Sequence, residues 1–557
     1  MSKWLSSCFL LIAIGYCSPI CFGQGMVTQQ LDSLLLKCNR EQLPGFAVRV
    51  LKNNEIIYEG QCGFANIHQQ IPITSSSIVN IASISKQFTA YCIYLLEERG
   101  LLNTAEEVHT YLPELPNFGY PITLKHLLAH TSGLRDYPEF LSLLNKSTSH
   151  NLQYDEMISF LSKHRELNFL PGEQFCYSNT GYMLLAKIIE GVSKQSYADF
   201  LQHELFDPLH MSHTFVNEGV LNEQADGTRD YTLNKCKTKA SKSKPYRDVI
   251  GATGIFSSLE DLTKWDELFY KHEQGIDRSF VIAKMEKVFA LNDGSSCHYG
   301  GGLILKNYRG KPVVEHSGGW GEYLTQYRRF PTSKLTILVA TNSFLDSPFE
   351  ICDKISNILL NYTDSLIPSA LLIEELSLKN MDGMYVSQDN IIRHVQTQSD
   401  SGTFRIYNTL KTNYHNYALQ AIETLADQTT GYFFADSAKN QFVFHILPDS
   451  TKEFIWYAGS YFYKKRIYSF VEPIKKSVSE YKGTYYCKEL DKQIKIRYKR
   501  QKNKLSFAYF PLQKKHLKPM GNQLFLLEGE TYLMRFTEDG IVYGNDWIYN
   551  FYFEKRN

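Results

Sequence analysis

At 557 residues the chain is longer than one ordinary hydrophobic core can serve, so two or three domains are expected. A hydrophobic content of 43%, a charged content of 21% and a formal net charge of +1 describe a globular protein. They leave no basic or acidic field that would point to nucleic acid or to a membrane surface. Aromatic residues reach 14%, and their density in the C-terminal third points to strands.

The first 23 residues read as a signal peptide. Lys3 supplies the positive start, residues 9–14 the apolar stretch, and Cys21-Phe-Gly23 a cleavage site before Gln24. That stretch is too short to span a bilayer, and no later segment is long and apolar enough. The mature protein is therefore expected to be exported, to the periplasm or beyond, without a membrane span. Of 11 cysteines, Cys8, Cys17 and Cys21 fall inside the signal. The other eight are scattered singly without metal-ligand spacing and read as small core residues, with a disulfide or two as the alternative in an oxidising compartment, and no metal or cofactor is called for.

Residues 27–38 carry Val27, Leu31, Leu34 and Leu35 at helical spacing. Residues 46–51 and 56–58 form a hairpin around Lys52-Asn-Asn-Glu55. Next comes Ser83-Ile-Ser-Lys86, followed by Phe88, Tyr91, Cys92, Leu95 and Leu96 at helical spacing and by Gly100 as a stop. A serine and a lysine three residues apart share one helix face. A lysine that deprotonates easily can take the serine proton and make a nucleophile. Ser-x-x-Lys alone is weak, since it recurs at Ser241/Lys244 and Ser479/Lys482, but only Ser83 has an apolar helix behind it. The spacing predicts Ser83 in the first helical turn.

Residues 124–130 form a short apolar turn ended by Thr131-Ser-Gly-Leu134, and Leu170-Pro-Gly-Glu173 marks another turn. Tyr177-Ser-Asn179 then sits on a tight loop before a helix at 181–190. A phenol beside an ammonium favours the phenolate, so Tyr177 can share a proton with Lys86. Asn179 offers a donor and an acceptor, or else caps the helix. Residues 254–258 are a strand leading to a helix capped by Ser258 with Asp261 at its third position. Residues 300–305 and 311–315 form a hairpin around Arg309-Gly310, residues 323–330 and 335–340 another strand pair, and 349–360 a closing helix. Between the strands lies His316-Ser-Gly-Gly-Trp-Gly321, whose glycines admit close backbone approach. His316 there either donates to a substrate carboxylate, tunes the tyrosine, or is an ordinary surface residue of a turn. Strands first, helices in the middle and strands last predict an α+β fold, an antiparallel sheet built from both chain ends and flanked by a helical subdomain.

Beyond about residue 370 the pattern becomes strand alternation, as at Phe442/Phe444/Ile446 and Tyr549/Phe551/Phe553, with Asp539-Gly540 as a hairpin turn. Met381-Asp-Gly-Met-Tyr385 echoes Tyr481-Lys-Gly-Thr-Tyr485. Two all-β, barrel-like units are expected, at 370–470 and 471–557.

Taken together and in this order, Ser83-Ile-Ser-Lys86, Tyr177-Ser-Asn179 and His316-Ser-Gly318 resemble the penicillin-recognising serine hydrolases. The likeness is nearest the branch of class C β-lactamases, D-amino-acid-releasing peptidases and related esterases. It extends through Ile122-Thr-Leu-Lys-His-Leu-Leu-Ala-His-Thr-Ser-Gly-Leu134, Pro171-Gly-Glu173, Phe206-Asp-Pro-Leu209 and Gly254-Ile-Phe-Ser-Ser258, so a serine β-lactamase-like domain is expected over 24–365. The resemblance implies Ser83 as the acylated nucleophile, Lys86 as its proton acceptor and Tyr177 as the relay to the leaving group. It implies Asn179, His316, Ser317 and Gly318 at the substrate, and the N–H groups of Ser83 and Gly319 as the oxyanion hole. His316 stands where many relatives have lysine, which removes a permanent charge and favours peptidase or esterase work over β-lactam hydrolysis. The implied substrate is a small D-amino-acid peptide, amide or ester, with carboxylesterase and weak β-lactamase as alternatives and a non-catalytic scaffold as the rival. The C-terminal units loosely resemble lipocalin-like domains.

Overall fold

The computed structural model describes most of residues 27–35, residues 42–360 apart from 144–153, 220–225, 245–247, 271–278 and a few shorter breaks, and strands between 383 and 556. The signal peptide, the turn residues Arg309 and Gly310, Met381-Asp382 and Asp539 lie outside the described residues.

The hairpin near the N-terminus forms as its alternation and Asn-Asn turn dictate: β1 (Phe46–Lys52) and β2 (Glu55–Cys62) turn through Asn53 and Asn54, both in the left-handed region. In chain order follow helices α1 (Ser85–Glu98), α2 (Leu124–Leu128), α3 (Asn179–Ser193) and α4 (Leu259–Glu267). Strands β3 (Ile304–Tyr308), β4 (Lys311–Trp320), β5 (Tyr323–Phe330) and β6 (Leu335–Thr341) come next, then α5 (Pro348–Leu359). The sheet order is β3-β4-β5-β6-β1-β2, all antiparallel. β1 joins β6 along its whole length, from Phe46 opposite Thr341 to Lys52 opposite Leu335, so strands from both ends of the domain meet inside the sheet.

Alternation along β1 divides the core. Val48 and Val50 face Leu31, Leu35, Ile351 and Ile355 of the terminal helices, while Ala47 and Leu51 join the larger cluster of the helical region. Helix α1 is buried from Ser85 to Leu96, on all its faces. That explains why its apolar residues are not confined to one stripe. Phe88 stacks on Trp265 of α4 with ring centroids 4.4 Å apart. Ser258 caps α4 by accepting from the Asp261 N–H at 3.1 Å. The seven described cysteines are all free thiols, six of them buried.

Two local expectations are corrected. Gly300 to Gly302 are not strand; they bend across α1 before β3 begins at Ile304. His316 to Trp320 are not a turn but the second half of β4, and the turn falls at Gly321-Glu322.

Among the described residues, the C-terminal region consists mainly of strands. Eight antiparallel strands run from Gly383–Ser387 to Arg466–Phe470, and eight more from Gly483–Cys487 to Ile548–Arg556. The alternating segments at 442–446, 494–498 and 549–553 each fall within one of them.

Candidate active site

Ser83 is presented by a strained turn. Val79–Asn80 pairs with Ile255–Ser257, and the chain then passes through Ala82 at φ +50°. A left-handed alanine costs energy and persists only where its surroundings hold it. Here the Ala82 N–H donates to Asn80 Oδ1 at 2.8 Å, and the Asn80 amide donates to buried Asp248 at 2.7 Å. Thr325 of β5 donates to the Ile81 carbonyl at 2.9 Å. Ser83 therefore lies in a 3-10 turn, Ala82–Ile84, just before α1 rather than in its first α-helical turn. The shift leaves Lys86 one turn further on.

Two glycines make the close approach possible. A Cβ on Gly318 would lie 2.3 Å from both the Ile81 carbonyl oxygen and Thr325 Oγ1, so β4 touches the Ser83 turn only because that position is bare. Gly302, at φ +70°, passes so near α1 that a Cβ would sit 2.6 Å from the Lys86 carbonyl oxygen. Gly319 and Ser317 flank Gly318 on the part of β4 that extends past its pairing with β3, which ends at Glu315 opposite Ile304. One edge of that segment is thus not covered by β3.

Lys86 is fully buried, and its Nζ lies 3.1 Å from Ser83 Oγ, 2.9 Å from Asn179 Oδ1 and 2.9 Å from the Ala252 carbonyl oxygen. Burial drives its ammonium well below the ordinary lysine value, against the opposing pull of Asp136. Nζ donates to Asn179 Oδ1, to the Ala252 carbonyl oxygen and to Ser83 Oγ; losing one proton would leave N–H groups for the first two oxygens and a lone pair for the Ser83 hydroxyl. Tyr177 completes the group, its ring centroid 4.7 Å from Nζ.

Asn179 is the first residue of α3, not its cap. The carboxylate of buried Asp136 accepts from the N–H groups of Asn179 and Thr180 and, at 3.1 Å, from Glu139. It thereby fixes the start of α3 and aims Asn179 at Lys86. His130, at φ +58°, lies with its ring 4.1 Å from that of Tyr177, and its Nδ1 accepts from the Ser178 N–H at 3.0 Å. No single-residue signal marked Asp136. His130 lay in the quoted phrase ending at Leu134, without a role.

His316 joins the group, its ring 6.1 Å from that of Tyr177. It is only 2% exposed, which overturns the surface reading. Nδ1 lies 2.7 Å from the Ser317 carbonyl oxygen and Nε2 lies 2.9 Å from the hydroxyl of Tyr299, so both ring nitrogens are taken by the protein. Burial first, and then Lys86, press its pKa down to about 3.

The same imbalance appears in three buried histidines. His130 is pushed well below 6.5, and His164, against Arg135 and Lys163, down to about 4, burial leading in both. The unfolded chain takes up these protons near pH 6.5 whereas the folded chain does not, so stability is complete above that value and falls on acidification. Each histidine contributes a slope of up to about 1.4 kcal/mol per pH unit between 6.5 and its folded value. Asp248, raised to about 6 mainly by burial, acts in the opposite sense below pH 6. The urea midpoint is expected to drop between pH 7.5 and 6, and an unchanged midpoint would contradict neutral burial of the histidines.

A serine, a desolvated lysine, a tyrosine and an asparagine converging at the foot of an antiparallel sheet define a serine hydrolase of the Ser-x-x-Lys type. The "Beta-lactamase" family model matches residues 25–356, more than half the chain, and this chain belongs to that family. It is similar to penicillin-binding protein 4* of Bacillus subtilis (strain 168), with 33% identity over 321 residues, 54% of this chain and 69% of that protein. It is also similar to a D-aminopeptidase of Gluconobacter oxydans (strain 621H), with 27% identity over 54% of this chain and 56% of that protein. The alignments thus leave about a third to nearly half of those relatives' own lengths unmatched. In fold it resembles the octameric penicillin-binding protein homologue from Pyrococcus abyssi, with a TM-score of 0.52 and 24% identity, covering 81% of this chain and 100% of that one.

Proposed function

We propose that the protein is an exported hydrolase that forms an acyl-enzyme on Ser83 with D-amino-acid peptides, amides or esters. The observation that carries this reading is the buried Lys86 Nζ, its pKa driven down by burial, within hydrogen-bond reach of Asn179, Ala252 and one hydroxyl, that of Ser83. In the proposed step the Ser83 proton passes to Lys86 as Oγ attacks the carbonyl carbon, and the oxyanion is received by the N–H groups of Ser83 and Gly319. The bond to the leaving group breaks, and the leaving amine or alcohol takes its proton through Tyr177. Water then cleaves the acyl ester and restores the serine. Asn179 orients both lysine and substrate. His316, Ser317 and Gly318 shape the wall beside it, with Gly318 setting how closely β4 approaches the nucleophile.

The D-amino-acid preference takes support from the D-aminopeptidase relative. His316, whose pKa burial lowers, brings no permanent charge, which weighs against β-lactam hydrolysis and favours carboxylesterase activity as the second reading. For the C-terminal units the reading is two lipocalin-like barrels beside a 24–365 catalytic domain, supported by the pairing of each first strand with its last. No helix among the described residues is long and apolar enough to cross a membrane.

A side-by-side screen of D-alanyl amides and peptides, their L-enantiomers, short acyl esters and a chromogenic cephalosporin tests the substrate class, with mass spectrometry of trapped adducts. Turnover of the D-amides with an adduct on Ser83 is expected. Folded protein with no adduct from any of these substrates would favour a scaffold.

A further inference from the structure

We propose that His130 is the positioning residue of the proton relay: this one histidine holds the N–H groups on both sides of Tyr177, and its ring stacks on the phenol. The inference rests on the hydrolase reading above and adds to it the group that aims its tyrosine.

The loop that carries Tyr177 is laced to the segment after α2. The Asn168 N–H donates to the Gly133 carbonyl and the Gly172 N–H to the Thr131 carbonyl, each at 2.8 Å. The lacing closes on His130. Its carbonyl accepts from the Cys176 N–H at 2.8 Å, and its Nδ1 accepts from the Ser178 N–H at 3.0 Å. Tyr177 is thus gripped through the residue before it and the residue after it. The imidazole also lies 4.1 Å from the Tyr177 ring, tilted by 31°, so the phenol cannot rotate without displacing it.

Two features of His130 go beyond packing. Its backbone sits at φ +58°, an uncommon conformation for any residue but glycine. The second feature is the placement of its proton. A backbone N–H can only donate, so the contact with Ser178 leaves a lone pair on Nδ1 and puts the ring proton on Nε2. Nε2 is buried and meets no acceptor among the described residues. Phe175, Tyr182 and Tyr299 surround the ring instead, with centroids 4.6 to 5.8 Å away. A buried N–H without an acceptor is destabilising, and a phenylalanine would fill this place without it. What a phenylalanine would lack is the acceptor for Ser178.

The test compares kcat/KM, which reports acylation, on two substrates of the full chain that share one D-alanyl group. The anilide's amine must take a proton to leave, whereas the thiophenyl ester departs as a thiolate without one. His130→Phe is expected to lose about 10²-fold on the anilide, the cost of a small misplacement of a reacting group, and to stay within about twofold on the thioester. His130→Asn offers an amide oxygen to Ser178 and tolerates the left-handed backbone, so it should recover about tenfold of that loss. Tyr177→Phe should show the same split between substrates, and adding His130→Phe to it should cost the anilide nothing more. Equal losses on both substrates in His130→Phe, or no recovery in His130→Asn, would make the histidine a packing residue and overturn the proposal.

Nitrogen NMR of histidine-labelled wild-type protein reads the grip without turnover, the His130 signals being those missing from His130→Asn. A protonated Nε2 and a bare Nδ1 are expected at pH 7, and a proton on Nδ1 overturns the proposal. If wild-type protein turned over neither substrate, the hydrolase reading would fail, while the NMR result would still decide the contact with Ser178.

Discussion

Lys86→Met is expected to lose about 10²–10⁴ in the rate of Ser83 acylation at neutral pH, the usual worth of a positioned general base. The methionine keeps the length and fills the buried channel, so the fold should survive and the loss will read as chemistry. The same variant reports whether the amine is neutral before substrate arrives. Burial holds the Lys86 pKa well below 10.5 in the folded protein, whereas in the unfolded chain the amine keeps its proton until about 10.5. Between those values the unfolded state binds one proton more than the folded state, so wild-type stability rises with pH by about 1.4 kcal/mol per unit. Lys86→Met lacks this contribution. The stability difference between the two proteins, from urea midpoints at pH 8, 9 and 10, should therefore shift toward the wild type as pH increases. A constant difference would mean that Lys86 is charged in the folded protein, and the proton transfer from Ser83 would need another acceptor.

Ser83→Ala carries the larger expected loss, about a millionfold in kcat, because the proposed mechanism forms the acyl bond on its hydroxyl. Residues that act as one unit fail as one unit, so adding Lys86→Met to Ser83→Ala should cost almost nothing more. Three rate constants on one amide substrate decide it. A double variant much slower than Ser83→Ala would give the lysine a role apart from the serine, in binding or in the second half of the reaction. Neither substitution should move the near-ultraviolet signal of Trp265, which packs against the buried helix through Phe88.

Much of this was legible in the chain itself, for reasons that differ by element. The hairpin of β1 and β2 announces itself through alternation and an Asn-Asn turn that tolerates the left-handed region. The Ser83 and Lys86 pair is visible because a local spacing creates it. Asp136 and Tyr299 were invisible for the opposite reason. Asp136 acts on the start of α3, some 43 positions along the chain, and Tyr299 meets His316 only because the glycine bend before β3 brings it there. Nothing in an isolated aspartate or tyrosine announces such a meeting. The left-handed Ala82 is equally silent, since alanine carries no turn chemistry and the strain is imposed by Asn80 and Thr325. The surface alternative for His316 fails because a histidine beside glycines looks like a tip, whereas pairing with β5 through Tyr327 keeps it inside a strand.

The interior position of β1, between β6 and the edge strand β2, has a consequence for how the domain comes into being. Its best partner, β6, is made almost 300 residues later, and the other neighbour, β2, gives only a two-stranded ribbon, too small to persist in water. The average contact in this sheet spans a long loop, which makes its formation slow and entropically costly. During synthesis the first strands must wait, unsheltered, until Leu335–Thr341 has emerged. A nascent chain stopped short of that segment should be readily cut by protease within β1, and one extended past it should resist.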